Sequence, residues 1–236
     1  ISAPTAVLEI SLRTLGGDSV KLSTAELECI GVRKGDGLFS VTYKNDVIKA
    51  VIGAEISDEI VWKLKIEPAA AYTVEWANYP CIAVPNTLSG EEGGHKLIWG
   101  YNEGVLLDNL EDREKTYAYV EPEYPLNGLA GIYPGAVEMQ LMAYFNGEDG
   151  LYFAAHDKDD CMKGIDFYRA ESGGIFLQFR HLCGVDFGEA YEMPYPMADG
   201  RLLPIFIRNG LKKRMTGRRF MRTGRCRNGT TVRRLL

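Results

Sequence analysis

Cysteine is scarce: the 236-residue chain has five, Cys29, Cys81, Cys161, Cys183 and Cys226. They are odd in number, widely spaced and form no CxxC pair. That excludes a zinc knuckle, gives no disulfide framework, and leaves buried free thiols as the expectation. No run of 18 apolar residues occurs, so no membrane-spanning helix is expected. The chain starts at Ile1, with no Met and no apolar leader, and reads as a mature form or a fragment whose targeting signal is out of view. A P-loop, a GxSxG elbow and an HExxH helix are all missing. Gly35-Asp36-Gly37 is a turn, and His181-Leu182-Cys183 is too sparse for a metal site. No cofactor and no metal are therefore expected. Glycine (26) and proline (10) follow no repeat, which excludes collagen-like and low-complexity chains.

Acid is absent from one end. Residues 208–236 hold 11 of the 27 Lys and Arg residues and none of the 32 acids. The abrupt change sets a boundary near residue 207 and divides the chain into a body, 1–207, and a basic tail, 208–236. Three readings of the tail stand: a disordered solvated run, an arm for a polyanionic surface, or the product of a shifted reading frame. Shifting the frame across Arg214–Thr231 permits an Asp-Trp-x-Ala-Ala-x-x-Tyr-x-x-Trp-Ala string with apolar residues at helical spacing. The visible tail has no such periodicity.

The chain is 46% hydrophobic, enough for a substantial core. The signals in the body are those of strands and tight turns. Ala6–Leu12 and Ile60–Ile66 alternate apolar and polar residues. Phe39–Tyr43 and Val47–Ile52 flank a short Lys44-Asn45-Asp46 connection. Met139–Phe145 and Gly150–Ala155 flank Asn146-Gly147, a strong hairpin signal. Ile165–Arg169 and Ile175–Arg180 read as another hairpin. Tyr72–Trp76 and Cys81–Val84 read as strands interrupted near Tyr79-Pro80. Only Asp108–Lys115 offers a helical turn or two, and Glu121–Gly135 reads as a long irregular connection. The fold class expected is all-β, a large antiparallel β-sandwich with an unstructured basic tail.

Four segments in order carry a resemblance: Ile98–Leu106, Tyr133-Pro134-Gly135, Met139–Tyr144, and Gly150–Asp157 with Lys163 beyond. Together they resemble the N-terminal β-supersandwich, galactose-mutarotase-like, of a bacterial glycoside-hydrolase-like family of unassigned function. The shifted-frame string resembles the helix that leads from sandwich to barrel in that family. The resemblance implies a sandwich that precedes a catalytic TIM barrel, a polysaccharide or glycan substrate, and hydrolytic carboxylates in the barrel rather than in this chain. Carbohydrate and that barrel are the partners implied; membrane and nucleic acid are not expected.

The candidate carbohydrate-binding residues are Tyr101, Asn102, Glu103, His156 and Asp157. A carboxylate beside aromatics can take sugar hydroxyls while a ring stacks, and imidazole beside carboxylate can hold a proton near neutral pH. Structural roles compete at both places. Gly104 marks a turn that Glu103 can cap, and neighbouring strand residues such as His156 and Asp157 point to opposite faces. Asp157, Asp159 and Asp160 lack the EF-hand pattern and read as a solvated acidic loop. Tyr117, Tyr119, Tyr124, Tyr133, Tyr144 and Tyr152 read mostly as packing. Three other functions compete with the domain reading. One is a stand-alone carbohydrate-binding module, one a structural or adhesion domain with a polyanion-binding tail. The third is a sandwich enzyme using Glu103, His156 or Asp157.

Overall fold

A computed structural model describes residues 6–88, 90, 93–102, 104–108, 110, 128–147, 149–169, 174–201, 221–225 and 231–235. The expected all-β class is observed. Among the described residues the chain forms strands in two antiparallel sheets, and its one helical element is a single 3-10 turn, Thr24–Glu26.

The smaller sheet contains β1 (Glu9–Thr14), β2 (Ser19–Ser23), β7 (Tyr72–Val84), β10 (Gly128–Tyr133), β13 (Lys163–Arg169) and β14 (Ile175–Leu182), in the spatial order β10-β13-β14-β7-β1-β2. The larger sheet begins at β3 (Glu28–Gly35) and runs through β4 (Leu38–Lys44), β5 (Ile48–Ile56) and β6 (Ile60–Pro68). It continues through β16 (Met197–Arg201), β12 (Asp149–Ala155), β11 (Val137–Asn146), β8 (Lys96–Tyr101) and β9 (Val105–Leu107). β15 (Tyr191–Glu192) also pairs with β6. Within the basic segment the described residues are β17 (Met221–Arg225) and β18 (Thr231–Leu235), which pair with each other while β18 joins β9.

Turn chemistry accounts for the short connections. Asp36-Gly37 joins β3 to β4, with Gly37 in the left-handed region at φ 71°. Asn45 accepts hydrogen bonds at Oδ1 from the Val47 and Ile48 amides, 2.9 Å each, and so builds the β4–β5 turn. The Asn-Gly signal marks the β11–β12 hairpin, where Asn146 pairs with Asp149.

Three expectations change. The two short strands read on either side of Tyr79-Pro80 are one strand, β7, of 13 residues. Proline lacks the amide that a ladder needs, and the β7–β14 register shifts there: Gln178 pairs with Cys81, but Arg180 pairs with Asn78. The irregular connection expected over Glu121–Gly135 contains β10 at Gly128–Tyr133; its earlier residues lie outside the described ones, as do Asn109 and 111–115 of the expected helical turn. Cys29 is exposed rather than buried; Cys81, Cys161 and Cys183 are free and partly buried, and Cys226 lies outside the described residues. Cys29 sits on β3, the described strand at one edge of the larger sheet, which is exposed along its whole length and bulges between Cys29 and Gly31.

The sheets pack face to face around two core clusters. One joins Trp99, Val137, Met142 and Phe153 of the larger sheet to Ile165, Phe167, Leu177 and Phe179 of the smaller. Phe153 meets Phe179 edge-to-face at 4.8 Å, an arrangement adding about 0.5–1.5 kcal/mol beyond burial. The other joins Ile10, Leu12, Val74 and Tyr79 of the smaller sheet to Ile48, Ile52, Leu64 and Ile66 of the larger. Polar bonds also cross the sandwich: Trp99 Nε1 donates to the Ile165 carbonyl at 3.1 Å, and the Tyr79 hydroxyl to the Gly53 carbonyl at 2.9 Å. The sheets come very close at Gly131, where a Cβ would lie 2.3 Å from Val137 Cγ2 and 2.8 Å from the Trp99 ring.

Candidate functional site

The first candidate group is a turn. β8 ends at Tyr101, whose ring stacks on Trp99 with centroids 4.6 Å apart and planes 3° from parallel. Residues 99 and 101 share a strand face, so Tyr101 continues the core outward. Asn102 adopts φ 42° and donates its amide to the Ala136 carbonyl at 2.8 Å. Gly104, at φ 98°, donates to the Tyr101 carbonyl at 3.0 Å and closes the turn into β9. Glu103 lies outside the described residues. Asn102 is exposed and the Tyr101 ring half-buried, so both reach the surface.

The second group separates into two sides of one strand end. His156 donates its amide to the Pro196 carbonyl at 2.9 Å, and its exposed ring lies 6.2 Å from that of Tyr152. Asp157 turns inward. Its carboxylate accepts from the Asp159 amide at 2.9 Å, from the Cys161 amide at 2.7 Å and from the Lys163 ammonium at 2.7 Å. Burial pushes the Asp157 carboxyl up, but the Lys163 ammonium and the two amides outweigh it and hold it below the ordinary carboxylate value. The acidic loop is thus folded over a buried cation. Among the described residues no three His, Cys, Asp or Glu side chains gather to hold a metal ion.

Lys163 is the centre of this group. Its side chain is wholly buried and that of Asp157 is 2% exposed. The ammonium also donates to Gln140 Oε1 at 3.0 Å and to the Cys161 carbonyl. It lies 4.7 Å from the Tyr133 ring centre and 4.6 Å from that of Tyr195, between two electron-rich faces. Gln140 donates to the Asp157 carbonyl at 2.9 Å, and the Tyr133 hydroxyl donates to Asp160. A further bond fixes Tyr195. His181 Nε2 lies 2.6 Å from the Tyr79 carbonyl and so carries the proton; Nδ1 accepts from the Tyr195 hydroxyl at 2.8 Å. Burial lowers the His181 imidazole to about 4, so it is neutral at physiological pH.

Tyr195 belongs to the segment Glu192–Pro196, which forms one wall of a cavity of about 720 Å³. The rest of its lining comes from β3 to β6, including Arg33, Ser40, Gly53, Lys63 and Lys65. The buried Lys163–Tyr195–His181 group therefore holds a wall in place, and the exposed His156 is tied to the same wall through Pro196. The structure brings His156 and Asp157 to this wall and leaves Tyr101 and Asn102 at the β8–β9 turn.

Sequence reasoning passed over Gln140, Tyr195 and the role of Lys163. For Lys163 a signal existed, since residues 163, 165 and 167 share one phase of β13 and the other two are the core residues Ile165 and Phe167. Asp166, in the opposite phase, is also buried. Burial raises its carboxyl although Arg180 lies 4.0 Å away and Gln178 donates to it at 3.3 Å.

No family model matches the chain, and no curated protein matches it. Solved structures do. The chain is similar to a GH36 alpha-galactosidase AgaA variant from Geobacillus stearothermophilus in complex with raffinose, with TM-score 0.51, 9% identity, and coverage of 85% of this chain and 30% of that one. It is similar to the galactosidase domain of the alpha-galactosidase-sucrose kinase AgaSK, with TM-score 0.53, 9% identity, and coverage of 81% and 29%. A second AgaA variant, in complex with 1-deoxygalactonojirimycin, gives TM-score 0.52, 9% identity, and coverage of 86% and 30%. At this identity the likeness is one of fold: the sandwich resembles the N-terminal domain of GH36 glycoside hydrolases. The chain spans less than a third of the length of these proteins.

Proposed function

We propose that this chain is a non-catalytic sandwich domain of a glycoside-hydrolase-like protein acting on polysaccharide or glycan, whose hydrolytic carboxylates belong to a TIM barrel outside these 236 residues. The overlay supports this reading: it takes in 81% of this chain or more, but only 29–30% of each alpha-galactosidase chain. In this reading residues 1–207 are the sandwich, and 208–236 are an appended basic segment whose described strands extend the larger sheet at β9. The domain supports the barrel and lends it a surface, with Tyr101, Asn102, Glu103 and His156 as the groups that meet sugar. Asp157 is committed to Lys163 and acts by fixing the backbone that presents His156.

The test is to sequence the encoding DNA from about codon 195 to well past codon 236. An open frame continuing into a helix and then alternating strands and helices supports the reading. Codons that offer no such continuation in any frame overturn it, and a stand-alone binding module then takes its place.

A further inference from the structure

We propose that the cavity beside β3–β6 binds an acidic oligosaccharide, one carboxylate per sugar ring, with Arg33 gripping a carboxylate. The saccharide half of this assignment rests on the glycan reading above; the anionic half rests on the charges in the cavity.

The cavity is of ligand size: about 720 Å³, against roughly 300–1,000 Å³ for small-molecule sites. Strand register sets the groups along one side of it. Ser40, Gly53 and Lys63 lie side by side across β4, β5 and β6, and the middle one has no side chain. Arg33 is the next residue in this row, paired with Ser40 on the β3 side. The row therefore offers a hydroxyl and a cation at either end, with Gly53 packed closely against the β4 backbone.

The cations differ in their commitments. Lys63 is paired with Glu55, and Lys65 lies 3.2 Å from Glu67. Among the described residues neither Arg33 nor its neighbour Lys34 makes an ion pair, so uncompensated positive charge collects at the β3 end. A guanidinium there presents a planar fork that matches a carboxylate at two points. Glu55 and Glu192 also line the cavity. They are suited to accept hydrogen bonds from hydroxyls, and they repel a glycan that carries more than one charge per sugar, such as a heavily sulfated one. A single carboxylate on each ring, set among hydroxyls, offers a partner to both sets of groups. The far wall is preformed, since Tyr195 is fixed by Lys163 and His181, so little ordering is lost on binding.

The experiment is isothermal titration calorimetry of the full chain with trigalacturonate, with neutral galactotriose and with a heparin oligosaccharide, repeated on Arg33→Ala and Arg33→Lys. Arg33 is exposed on an outer strand, so both variants retain the fold; far-ultraviolet circular dichroism checks this. Trigalacturonate is expected to bind the parent, to lose about tenfold in affinity with R33A, and to recover only part of it with R33K, which keeps the charge but not the fork. Galactotriose and the heparin fragment are expected to bind more weakly than trigalacturonate. Equal binding of galactotriose, tighter binding of heparin, trigalacturonate binding indifferent to R33A, or no binding at all each overturns the inference. None of these outcomes bears on whether a barrel is encoded downstream, which the DNA sequence decides separately.

Discussion

The Lys163 ammonium lies 2.7 Å from the Asp157 carboxylate, and water reaches neither group to any useful extent. Removing one partner of such a pair strands the other charge in the interior. Lys163→Met is therefore expected to cost about 3–5 kcal/mol in urea unfolding. Replacing both partners, as K163M with D157L, is expected to be less damaging than the sum of the single changes. A K163M chain as stable as the parent would show that the cluster does not hold the loop.

His181 supplies a pH dependence. Its folded value, about 4, lies below the ordinary 6.5, so the stability it contributes is fully present above 6.5. Between those values the unfolded chain takes up a proton that the folded chain refuses. Stability is then lost as pH falls, by up to about 1.4 kcal/mol per unit. Denaturation series from pH 7 to 4 are expected to show this slope in the parent and a shallower one in His181→Asn.

Asp157 acts in a lower window. Its folded value lies below 3.8, so its contribution is present above 3.8 and disappears as pH falls further, when the carboxyl is protonated and Lys163 loses its counter-charge. Asp157→Asn is expected to be less stable at neutral pH and to lose less on acidification below 3.8. An acid profile with the same shape as the parent's would contradict the assignment.

Gly131→Ala tests the close approach of the sheets. The added methyl meets Val137 and the Trp99 ring well inside contact distance, so those side chains or the strands that carry them must shift. The expected cost is about 1–3 kcal/mol, read from the urea midpoint.

Aryl α-galactosides should not be hydrolysed by this chain above the buffer rate. Turnover at enzymatic rates, abolished by His156→Ala, would return the sandwich-enzyme alternative to first place.

The fold class was legible because the strands alternate and their turns use Asn-Gly, Asp-Gly and Asn-Asp pairs, which act locally. Pro80 misled because proline ordinarily ends a ladder, and only the partner strand's register shift makes room for it. β3 was overlooked for a related reason: Glu28–Gly35 is exposed on both faces and shows no burial pattern. Of the candidate site, His156 and Asp157 read from sequence as neighbours on opposite faces, but which of them turns inward depends on Lys163, six residues away and across a loop. Tyr195 was invisible because its meaning comes from His181 and Lys163, neither of them adjacent in sequence. Arg33 had no signal at all, since a lone cation on an outer strand is ordinary until a cavity is found beside it.

β7 pairs with β1 on one side and β14 on the other, and Asn78 meets a partner at residue 180, 102 positions later. On a ribosome adding roughly 5–20 residues per second, that separation amounts to about 5–20 s during which β7 has one neighbour and waits for the other. Through that interval the β7 edge that will take β14 has no strand to pair with. In the smaller sheet the strand made last, β14, is the one that joins β10-β13 to β7-β1-β2, so two separately made edges are closed by a late central strand.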